Sequence, residues 1–326
     1  MLVLTESELR RLVPFSPAAV AAVEEGFRQL GGGGVATPPV LRLDFPEANG
    51  EIDVKAAHAY AWDSFAVKMS TGFFSNAQRG LPSANGLMVL FSAVTGEPLA
   101  VLLDGGYLTT VRTAAAGAVA AKWMAPAAVD TLGVVGTGLQ AWFQVQAVLA
   151  VRPVQQVAVW GRDAGHAHAL ADRVAQQAGV PAHVCAGLEE LVATSGVVVT
   201  ATPAKSPLVR GEWLSAGHHV TAIGTDAPDK QELDVAVWAR ADVAACDVRG
   251  QAVQMGDSHH AVAAGVLDPA RLVELGDIVS GRQMGRPSPE AITVCDLTGT
   301  GIQDTAIARL ACQAAREAGV GMDLRP

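Results

Sequence analysis

The chain has 326 residues, of which 50% are hydrophobic and 17% are charged, and this length and balance predict two globular domains or one large α/β unit. No apolar run reaches the roughly 18 residues of a membrane helix, and the charged start "MLVLTESELRRLV" lacks the apolar centre of a secretion signal, so we expect a cytoplasmic protein with no membrane partner. The net charge of -9 argues against a nucleic-acid partner, and four scattered cysteines without a CxxC pair predict buried thiols and no metal site.

The first hundred residues predict two helices followed by a sheet. In residues 5–30, "TESELRRLV" begins with a Thr-x-x-Glu capping box and "SPAAVAAVEEGFRQL" with a Ser cap and a Pro in the first turn. From 37 to 104, short apolar alternations predict a mostly antiparallel sheet with a hairpin turn at "VTGEP". The segment "LTTVRTAAAGAVAAKWMAP" then predicts a helix that is capped by Thr109 or Thr110 and ends at Pro126.

After Pro126 the pattern alternates between strands and helices. "DTLGVV", "QVAVW", "GVVVTAT" and "HHVTAIG" are apolar, β-rich runs of the kind found in buried parallel sheets. Helical segments separate the first of these runs, so βαβ crossovers and a domain from about 127 to 295 are predicted. The tail "GTGIQDTAIARLACQAAREAG" predicts one more helix, which is entered through a glycine turn.

The stretch "GVVGTGLQA" predicts a dinucleotide-binding turn. Gly136, Gly138 and Ala141 form the pattern G-x-G-x-x-A directly after a predicted strand and directly before a helix. In such a turn the first glycine permits the bend, the second lets the backbone approach a pyrophosphate, and the helix N-terminus faces the phosphates. A glycine turn with a purely structural role is the alternative, and the order of strand, turn, helix and strand argues against it.

The end of the second strand of this domain bears on the choice between NAD and NADP. An acidic residue there binds the ribose hydroxyls of NAD, whereas an arginine nearby pairs with the 2′-phosphate of NADP. The chain reads "VAVWGRD", with Gly161 in the acid position, Arg162 after it and Asp163 one residue further. The pattern favours NADP, with NAD as the alternative if Arg162 is an ordinary surface residue.

Four charged residues stand among apolar or small neighbours and are candidates for a substrate site. Lys68 lies in "SFAVKMSTG", Arg112 in the first turn of "TTVRTAAAG" and Arg42 in "VLRLDF". Asp226 follows an apolar strand, at the end where open α/β sheets place ligands. A structural ion pair is the alternative for each of them.

These segments resemble the ornithine cyclodeaminase/mu-crystallin family. The resemblance covers nearly the whole chain, in order, and its most specific blocks are "RTAAAGA", "GTDAPDKQEL" and "GTGIQDTAIA". The region from "STGFFSN" to "RTAAAGA" is similar to the subgroup of cyclodeaminases of ectoine utilisation. We interpret "DLTGTGIQD" as the return into the substrate domain and not as a second phosphate cradle.

The resemblance implies an α/β fold in which a Rossmann domain interrupts an α+β substrate and dimerisation domain. The expected divisions are 1–125 for the substrate and dimerisation domain, 126–298 for the Rossmann NAD(P)-binding domain and 299–326 for a C-terminal helix that returns to the substrate domain. A homodimer is implied as well.

The resemblance also implies a set of site residues. Asp226 matches a catalytic acid/base, and Lys68 matches the lysine beside the substrate carboxylate. The substrate-binding set is Arg42, Arg112, Ser83 and Thr298. The cofactor-binding set is Thr113, Gly136, Thr137, Gly138, Leu139, Gln140, Gly161, Arg162, Thr200, Thr202 and Lys230.

Three functions agree with these residues. The first is an NAD(P)H-dependent imino-acid reductase or amino-acid dehydrogenase, in which guanidinium groups hold a carboxylate and Asp226 or Lys68 protonates the imine. The second is redox-neutral cyclodeamination of a diamino acid such as ornithine, which the missing ribose-binding acid places in doubt. The third is a non-catalytic NADPH-binding protein of the crystallin kind, against which the set of Arg42, Lys68, Arg112 and Asp226 argues.

Overall fold

A computed structural model describes residues 1–324 of the chain. Its first elements are β1 (Leu2–Thr5), α1 (Glu6–Leu12), α2 (Pro17–Gly31), β2 (Val35–Ala36), β3 (Leu41–Phe45), β4 (Gly50–Ala59), β5 (Ser64–Phe73), β6 (Ala84–Ser92), β7 (Pro98–Leu103) and α3 (Tyr107–Met124). Then follow β8 (Val129–Val135), α4 (Leu139–Leu149), β9 (Val154–Trp160), α5 (Ala164–Arg173), β10 (Ala182–Val184), α6 (Leu188–Thr194), β11 (Val197–Thr200), β12 (Lys205–Val209), β13 (His219–Ala222) and β14 (Gln231–Leu233). The last are α7 (Val235–Arg240), β15 (Val243–Cys246), α8 (Arg249–Met255), α9 (Ser258–Ala263), β16 (Leu272–Glu274), α10 (Leu275–Val279), β17 (Thr293–Asp296), α11 (Gly301–Ala318) and β18 (Met322–Asp323).

The chain forms two compact units. The first unit comprises Met1–Arg112 and the segment that begins at Thr300, and the second comprises Thr113–Gly299. The predicted divisions after residues 125 and 298 stay predictions, and residues 325–326 of the predicted C-terminal segment lie outside the described residues. No helix within residues 1–324 is both long and apolar enough to cross a bilayer.

Local signals place the first two helices where the sequence predicts them. The Thr5 side chain and Glu8 form the capping box of α1, in which the Thr5 N–H donates to the Glu8 carboxylate at 2.8 Å. Ser16 caps α2 by accepting from the Ala19 N–H. Both predicted caps are confirmed.

The first unit contains an eight-stranded sheet in the order β18-β1-β7-β6-β5-β4-β2, with β3 also paired to β4. The predicted antiparallel arrangement is confirmed for β2 to β7, and the hairpin from β6 to β7 turns at the predicted place. The strands β1 and β18 at one end of this sheet are an addition to the prediction, since β1 pairs with β7 in parallel and β18 pairs with β1 in antiparallel fashion. Helix α11 packs against β4, β5 and α2. Alternate residues of β4 and β5 are therefore buried, among them Lys55 and Lys68.

The start of α3 differs from the prediction. The helix begins at Tyr107, so Thr109 and Thr110 lie inside it and Arg112 lies beyond its first turn. The Asp104 carboxylate accepts from the Leu108 N–H at 2.8 Å, and this contact supplies the cap. Asp104 can reach the helix because Gly105 and Gly106 between them adopt positive φ angles of 59° and 86°.

The second unit is a Rossmann fold. Its main sheet has eight strands, all parallel, in the order β10-β9-β8-β11-β13-β17-β15-β16, and β12 and β14 form a separate two-stranded parallel sheet. Val134 and Val199 belong to one apolar cluster, whereas Val135 and Val198 belong to another, because neighbours along a strand face opposite sides of the sheet. The strand order reverses between β8 and β11, which is the place where doubly wound sheets bind ligands. The predicted α/β fold class is confirmed.

Candidate active site

The turn from β8 to α4 contains two glycines whose surroundings differ. Gly136 has a φ of 120°, and a Cβ on it would lie 2.6 Å from the carbonyl oxygen of Ala201, so only glycine fits there. Gly138 is the N-cap of α4, and a Cβ on it would meet no described atom within 4 Å. The first glycine is thus enclosed, and the second borders open space at a helix N-terminus, where backbone N–H groups attract anions.

A cavity of about 800 Å³ in the second unit begins at this turn. Its wall contains basic side chains, which suit a phosphate group. Asp163 also lines the cavity, but its carboxylate caps α5 by accepting from the His166 N–H at 2.7 Å, and this bond lowers the pKa of Asp163. The residues that line the cavity include Gly136, Thr137, Gly138, Gly161, Arg162, His166, Thr202 and Lys205.

The Thr137 side chain packs closely against Gly161 and leaves no room for a side chain there. A Cβ on Gly161 would lie 2.5 Å from the methyl carbon of Thr137, so an acidic side chain at residue 161 would require Thr137 to move. Arg162 next to it is exposed and lines the cavity. The end of β9 thus offers a guanidinium where NAD-type sites offer a carboxylate.

Five of the predicted cofactor residues do not line this cavity, namely Thr113, Leu139, Gln140, Thr200 and Lys230. Leu139 and Gln140 form the first residues of α4, and the Leu139 side chain is exposed. Thr113 lies in α3, where its carbonyl oxygen accepts from Gln144 at 3.1 Å. Any contact of these residues with a cofactor stays a prediction.

The two threonines at the end of β11 are held by a carboxylate. Glu232 is fully buried and accepts from the hydroxyls of Thr200 and Thr202 and from the N–H groups of Thr202 and Gly224, at 2.7–2.8 Å. Burial and the neighbouring Asp257 raise the pKa of Glu232 to about 7, although the hydrogen bonds from the Thr200 and Thr202 hydroxyls and from the Gly224 N–H lower it. The Thr200 hydroxyl thus binds Glu232 and helps to hold the end of β11 in place. Thr202 also binds Glu232, and it lines the cavity as well.

The loop after β13 carries Asp226. The Asp226 carboxylate lies 2.5 Å from the Lys230 ammonium group, and the side chains are 40% and 14% exposed. One residue earlier, the buried Thr225 donates its hydroxyl to Asp257 at 2.9 Å. Two buried carboxylates, Glu232 and Asp257, therefore fix the residues just before Asp226.

Thr298 occupies a buried network at the end of β17. Its hydroxyl donates to Asp247 at 2.9 Å and accepts from Gln251 at 2.8 Å. Asp247 also accepts from the Gly299 N–H at 2.6 Å. The described contacts of Thr298 are those of a residue that shapes the loop.

In the first unit, two of the predicted cations meet at one carboxylate. The Lys68 Nζ lies 3.1 Å and the Arg112 Nε 2.9 Å from the two oxygens of Asp304, and all three side chains are at least 94% buried. Arg112 also donates through Nη1 to Gln303 at 2.9 Å. Strand β5 supplies Lys68, α3 supplies Arg112 and the first turn of α11 supplies both acceptors.

Burial controls the protonation of this cluster. Removal from water and the nearby Arg112 lower the pKa of Lys68 to about 7, with Asp304 acting in the opposite direction. Burial alone would raise the pKa of Asp304, but Lys68, Arg112 and Lys55 hold it below its usual value. The cluster therefore contains a carboxylate that stays ionised and a lysine that can change its charge near neutral pH.

The other two predicted substrate residues belong to the same unit, with different surroundings. Arg42 is 23% exposed and forms ion pairs with Asp44 at 2.9 Å, with Glu51 and with Asp53 at 3.7 Å. Ser83 is half-buried, and its carbonyl oxygen accepts from the Phe73 N–H. The structure brings Lys68 and Arg112 together at one carboxylate and surrounds Arg42 with three others.

The sequence interpretation missed Asp304 and Gln303. Both lie in "GTGIQDTAIA", where an acidic residue in the first helical turn is what any helix favours, so it gave no special signal. The signal available was indirect, because two cations predicted among apolar neighbours require a buried anion.

Comparisons with known proteins agree with this architecture. A model of the ornithine cyclodeaminase/mu-crystallin family matches residues 1–319. An uncharacterized cyclodeaminase of Sinorhizobium fredii is 46% identical over 98% of both chains. The solved Δ1-pyrroline-2-carboxylate reductase of Thermococcus litoralis, in complex with NADH and L-proline, is 29% identical, with a TM-score of 0.94 over 99% of this chain and 100% of that one. An archaeal alanine dehydrogenase dimer with bound NAD is 34% identical, with a TM-score of 0.93 over 100% and 99% of the two chains.

Proposed function

We propose that this chain, which belongs to the ornithine cyclodeaminase/mu-crystallin family, is an NAD(P)H-dependent oxidoreductase that acts on the Cα–N bond of a small 2-imino or 2-amino acid. The observation that carries the proposal is the buried cluster of Lys68, Arg112 and Asp304. Two cationic side chains in a site of low dielectric attract a carboxylate far more strongly than they would in water. The cluster therefore favours a substrate that carries a carboxylate, and the family membership supports a carboxylate next to the reacting carbon.

Lys68 and Arg112 are the proposed anchors of that carboxylate. Arg42 is a weaker candidate, because an incoming carboxylate would compete with Asp44, Glu51 and Asp53 for its guanidinium group. We assign Ser83 to the same site on the resemblance alone.

The chain must also supply a proton. Reduction of a C=N bond adds a hydride to carbon and a proton to nitrogen, and a general acid suits this role when its pKa lies near the working pH. Lys68, with a pKa of about 7, meets that requirement. Asp226 is the second candidate, because its 40% exposed carboxylate lies in the loop after β13, at the end of the sheet where this fold binds ligands.

The cavity of the second unit fits a nicotinamide dinucleotide. Gly136 is a cradle that a Cβ would fill, and Gly138 opens the N-terminus of α4 to a pyrophosphate. When bound, a reduced nicotinamide would supply the hydride. We propose NADP as the preferred form, because Arg162, His166 and Lys205 line the cavity and Gly161 replaces the ribose-binding acid.

The relatives support this substrate class. One solved relative is named as a reductase of pyrroline-2-carboxylate and contains L-proline, and another is named as an alanine dehydrogenase. Cyclodeamination of a diamino acid is the second candidate, since one of two relatives that are 46% identical bears the name cyclodeaminase, while the other bears the name putative dehydrogenase.

One set of assays separates these functions. Purified protein is given NADPH or NADH with the imino acids that correspond to proline and alanine, and the absorbance of reduced nicotinamide is followed. A net decrease is expected. Release of ammonia from ornithine without a net change would support cyclodeamination, and cofactor binding without turnover of any substrate would support a binding protein.

Asp226→Asn tests the proton-transfer role. Loss of a general acid is expected to lower kcat by a factor of about 100 or more while NADPH binding, followed by its fluorescence, stays unchanged. Asp130→Asn, which changes an exposed carboxylate in the same unit, is the control. An Asp226→Asn enzyme with wild-type kcat would remove Asp226 from the mechanism.

We also propose a homodimer. The archaeal relative is described as a dimer, and β3 of this chain exposes Leu41, Leu43 and Phe45 by 54%, 55% and 43%. Three apolar side chains exposed along one strand are typical of an interaction surface. Light scattering during size-exclusion chromatography measures the assembly directly.

A further inference from the structure

We propose that Asp304 is a positioning residue of the substrate site, whose carboxylate orients Lys68 and Arg112 and sets the protonation of Lys68. This inference rests on the proposed function, because it assigns the two cations to the substrate. Asp304 itself would touch neither substrate nor cofactor and would act through its two neighbours.

Asp304 has a fixed position because its helix is held against the sheet. It lies in the first turn of α11, which is held against two strands of the sheet. A Cβ on Gly301 would lie 2.3 Å from the carbonyl carbon of Ala56, so the helix meets β4 in direct backbone contact. The Thr305 hydroxyl donates to the carbonyl oxygen of Ala57 at 2.8 Å and accepts from the Ala66 N–H at 3.0 Å. The residue next to Asp304 thus ties α11 to both β4 and β5.

Contacts with α11 also orient the Arg112 guanidinium. Asp304 contacts its Nε and Gln303 accepts from its Nη1, so two consecutive residues of α11 hold two different nitrogens. An ion pair at one nitrogen and a hydrogen bond at another restrict the rotation of a planar guanidinium. Since a carboxylate binds this group in a specific plane, fixing the plane beforehand lowers the entropy lost on binding.

The charged groups around Lys68 influence its protonation. Lys68 faces charged groups from four elements: Lys55 on β4, Arg112 on α3, Asp304 on α11, and Asp104 in the turn before α3. Burial, Arg112 and Lys55 lower the pKa of Lys68, and Asp304 is the anion in direct contact that opposes them. Removal of the Asp304 charge is therefore expected to lower the pKa of Lys68 further, so that the ammonium form is lost at a lower pH.

Asp304→Asn keeps the shape of the side chain and removes its charge, so kcat/KM is measured against pH for this variant and for wild type. An opposite charge at this distance shifts a pKa by roughly one unit or more, so the limb that reports loss of the Lys68 proton is expected about one pH unit lower in the variant. Near pH 7 the KM for the carboxylate substrate is expected to rise about tenfold, with the KM for NADPH unchanged. Asp304→Glu restores the charge and is expected to return the limb toward its wild-type position. Glu317→Gln, an exposed change on the same helix, is the control.

A measurement without substrate separates this inference from the proposed function. The sequence contains five lysines, so NMR of protein labelled with 15N-lysine can follow the Lys68 side chain, assigned by Lys68→Arg. In wild type Lys68 is expected to titrate near pH 7, and in Asp304→Asn at a lower pH. A Lys68 that titrates near the ordinary lysine value in wild type, or at one pH in both proteins, overturns the inference. A Lys68 pKa that shifts between the two proteins, in a protein that turns over no imino or amino acid, would instead refute the proposed function and leave only the effect of Asp304 on Lys68 standing.

Discussion

The choice between NADP and NAD is expected to depend on Arg162. This exposed side chain lines the same cavity as the glycine turn, and His166 and Lys205 also line it. The 2′-phosphate of NADP adds nearly two negative charges that NAD lacks. Arg162→Ala removes the cation next to the end of β9, where the ribose of a dinucleotide binds in this fold.

The size of the effect follows from the exposure of the side chain. A hydrogen bond to a charged group contributes about 1.5–3 kcal/mol when it is shielded from water. Because Arg162 is exposed, solvent and salt weaken the interaction, and about 1–2 kcal/mol is the appropriate range. Since 1.4 kcal/mol is a factor of ten, the KM for NADPH should rise roughly 5- to 30-fold, and the KM for NADH should not change.

Steady-state kinetics with both cofactors measure this prediction. The ratio of kcat/KM for NADPH to that for NADH is determined for wild type, for Arg162→Ala and for Arg282→Ala, an exposed arginine of the same unit outside the cavity lining. The wild-type ratio should fall with added salt, and the ratio of Arg162→Ala should respond less. An Arg162→Ala enzyme that keeps the wild-type ratio would show that the cavity does not use this cation to select its cofactor.

Three further substitutions test which residues keep the second unit stable. Gly136→Ala places a Cβ 2.6 Å from a carbonyl oxygen at a φ of 120°, so it should lower the free energy of unfolding by about 1–3 kcal/mol and abolish NADPH binding, whereas Gly138→Ala, with no described atom within 4 Å of its Cβ, should keep the stability. Equal thermal midpoints for the two variants would contradict the strain argument. The pKa of Glu232 is raised in the folded protein to about 7, so its contribution to stability is complete below its unfolded value near 4.5 and is lost as the pH rises toward 7. Glu232→Gln should therefore flatten the decline of the melting temperature between pH 5 and pH 7.5, and a decline equal to that of wild type would refute the assignment.

The sequence predicts well those features whose signal lies within a few consecutive residues. The capping box of Thr5 and Glu8 and the glycine turn at Gly136 each contain their whole signal in one short segment. The parallel strands of the second unit are similar, because a strand buried on both faces must be apolar throughout. Family resemblance added Lys68 and Arg112 as members of one site, and the structure places them on one carboxylate.

The errors come from contacts that short patterns do not contain. Thr109 and Thr110 are good capping residues, but Asp104 reaches α3 first because two glycines let the chain turn back. The strand β1 pairs with β7, about a hundred residues away, and its four residues carry no signal that distinguishes them from the start of a helix.

Carboxylates account for most of what the sequence did not reveal in both units. Lys68 and Arg112 are identifiable as cations in apolar segments, but Asp304 completes their site from the far end of the chain. Thr200 and Thr202 are predicted cofactor-binding residues, and nothing in the sequence indicated that Glu232 accepts from both of their hydroxyls. In each case a buried carboxylate contacts the side chains that the sequence selects, by ion pairs at Asp304 and by hydrogen bonds at Glu232, and these contacts restrict the orientation of the partners. Substitution of Asp304 and Glu232 is therefore the direct way to learn which of the selected residues contact a ligand and which hold the site in shape.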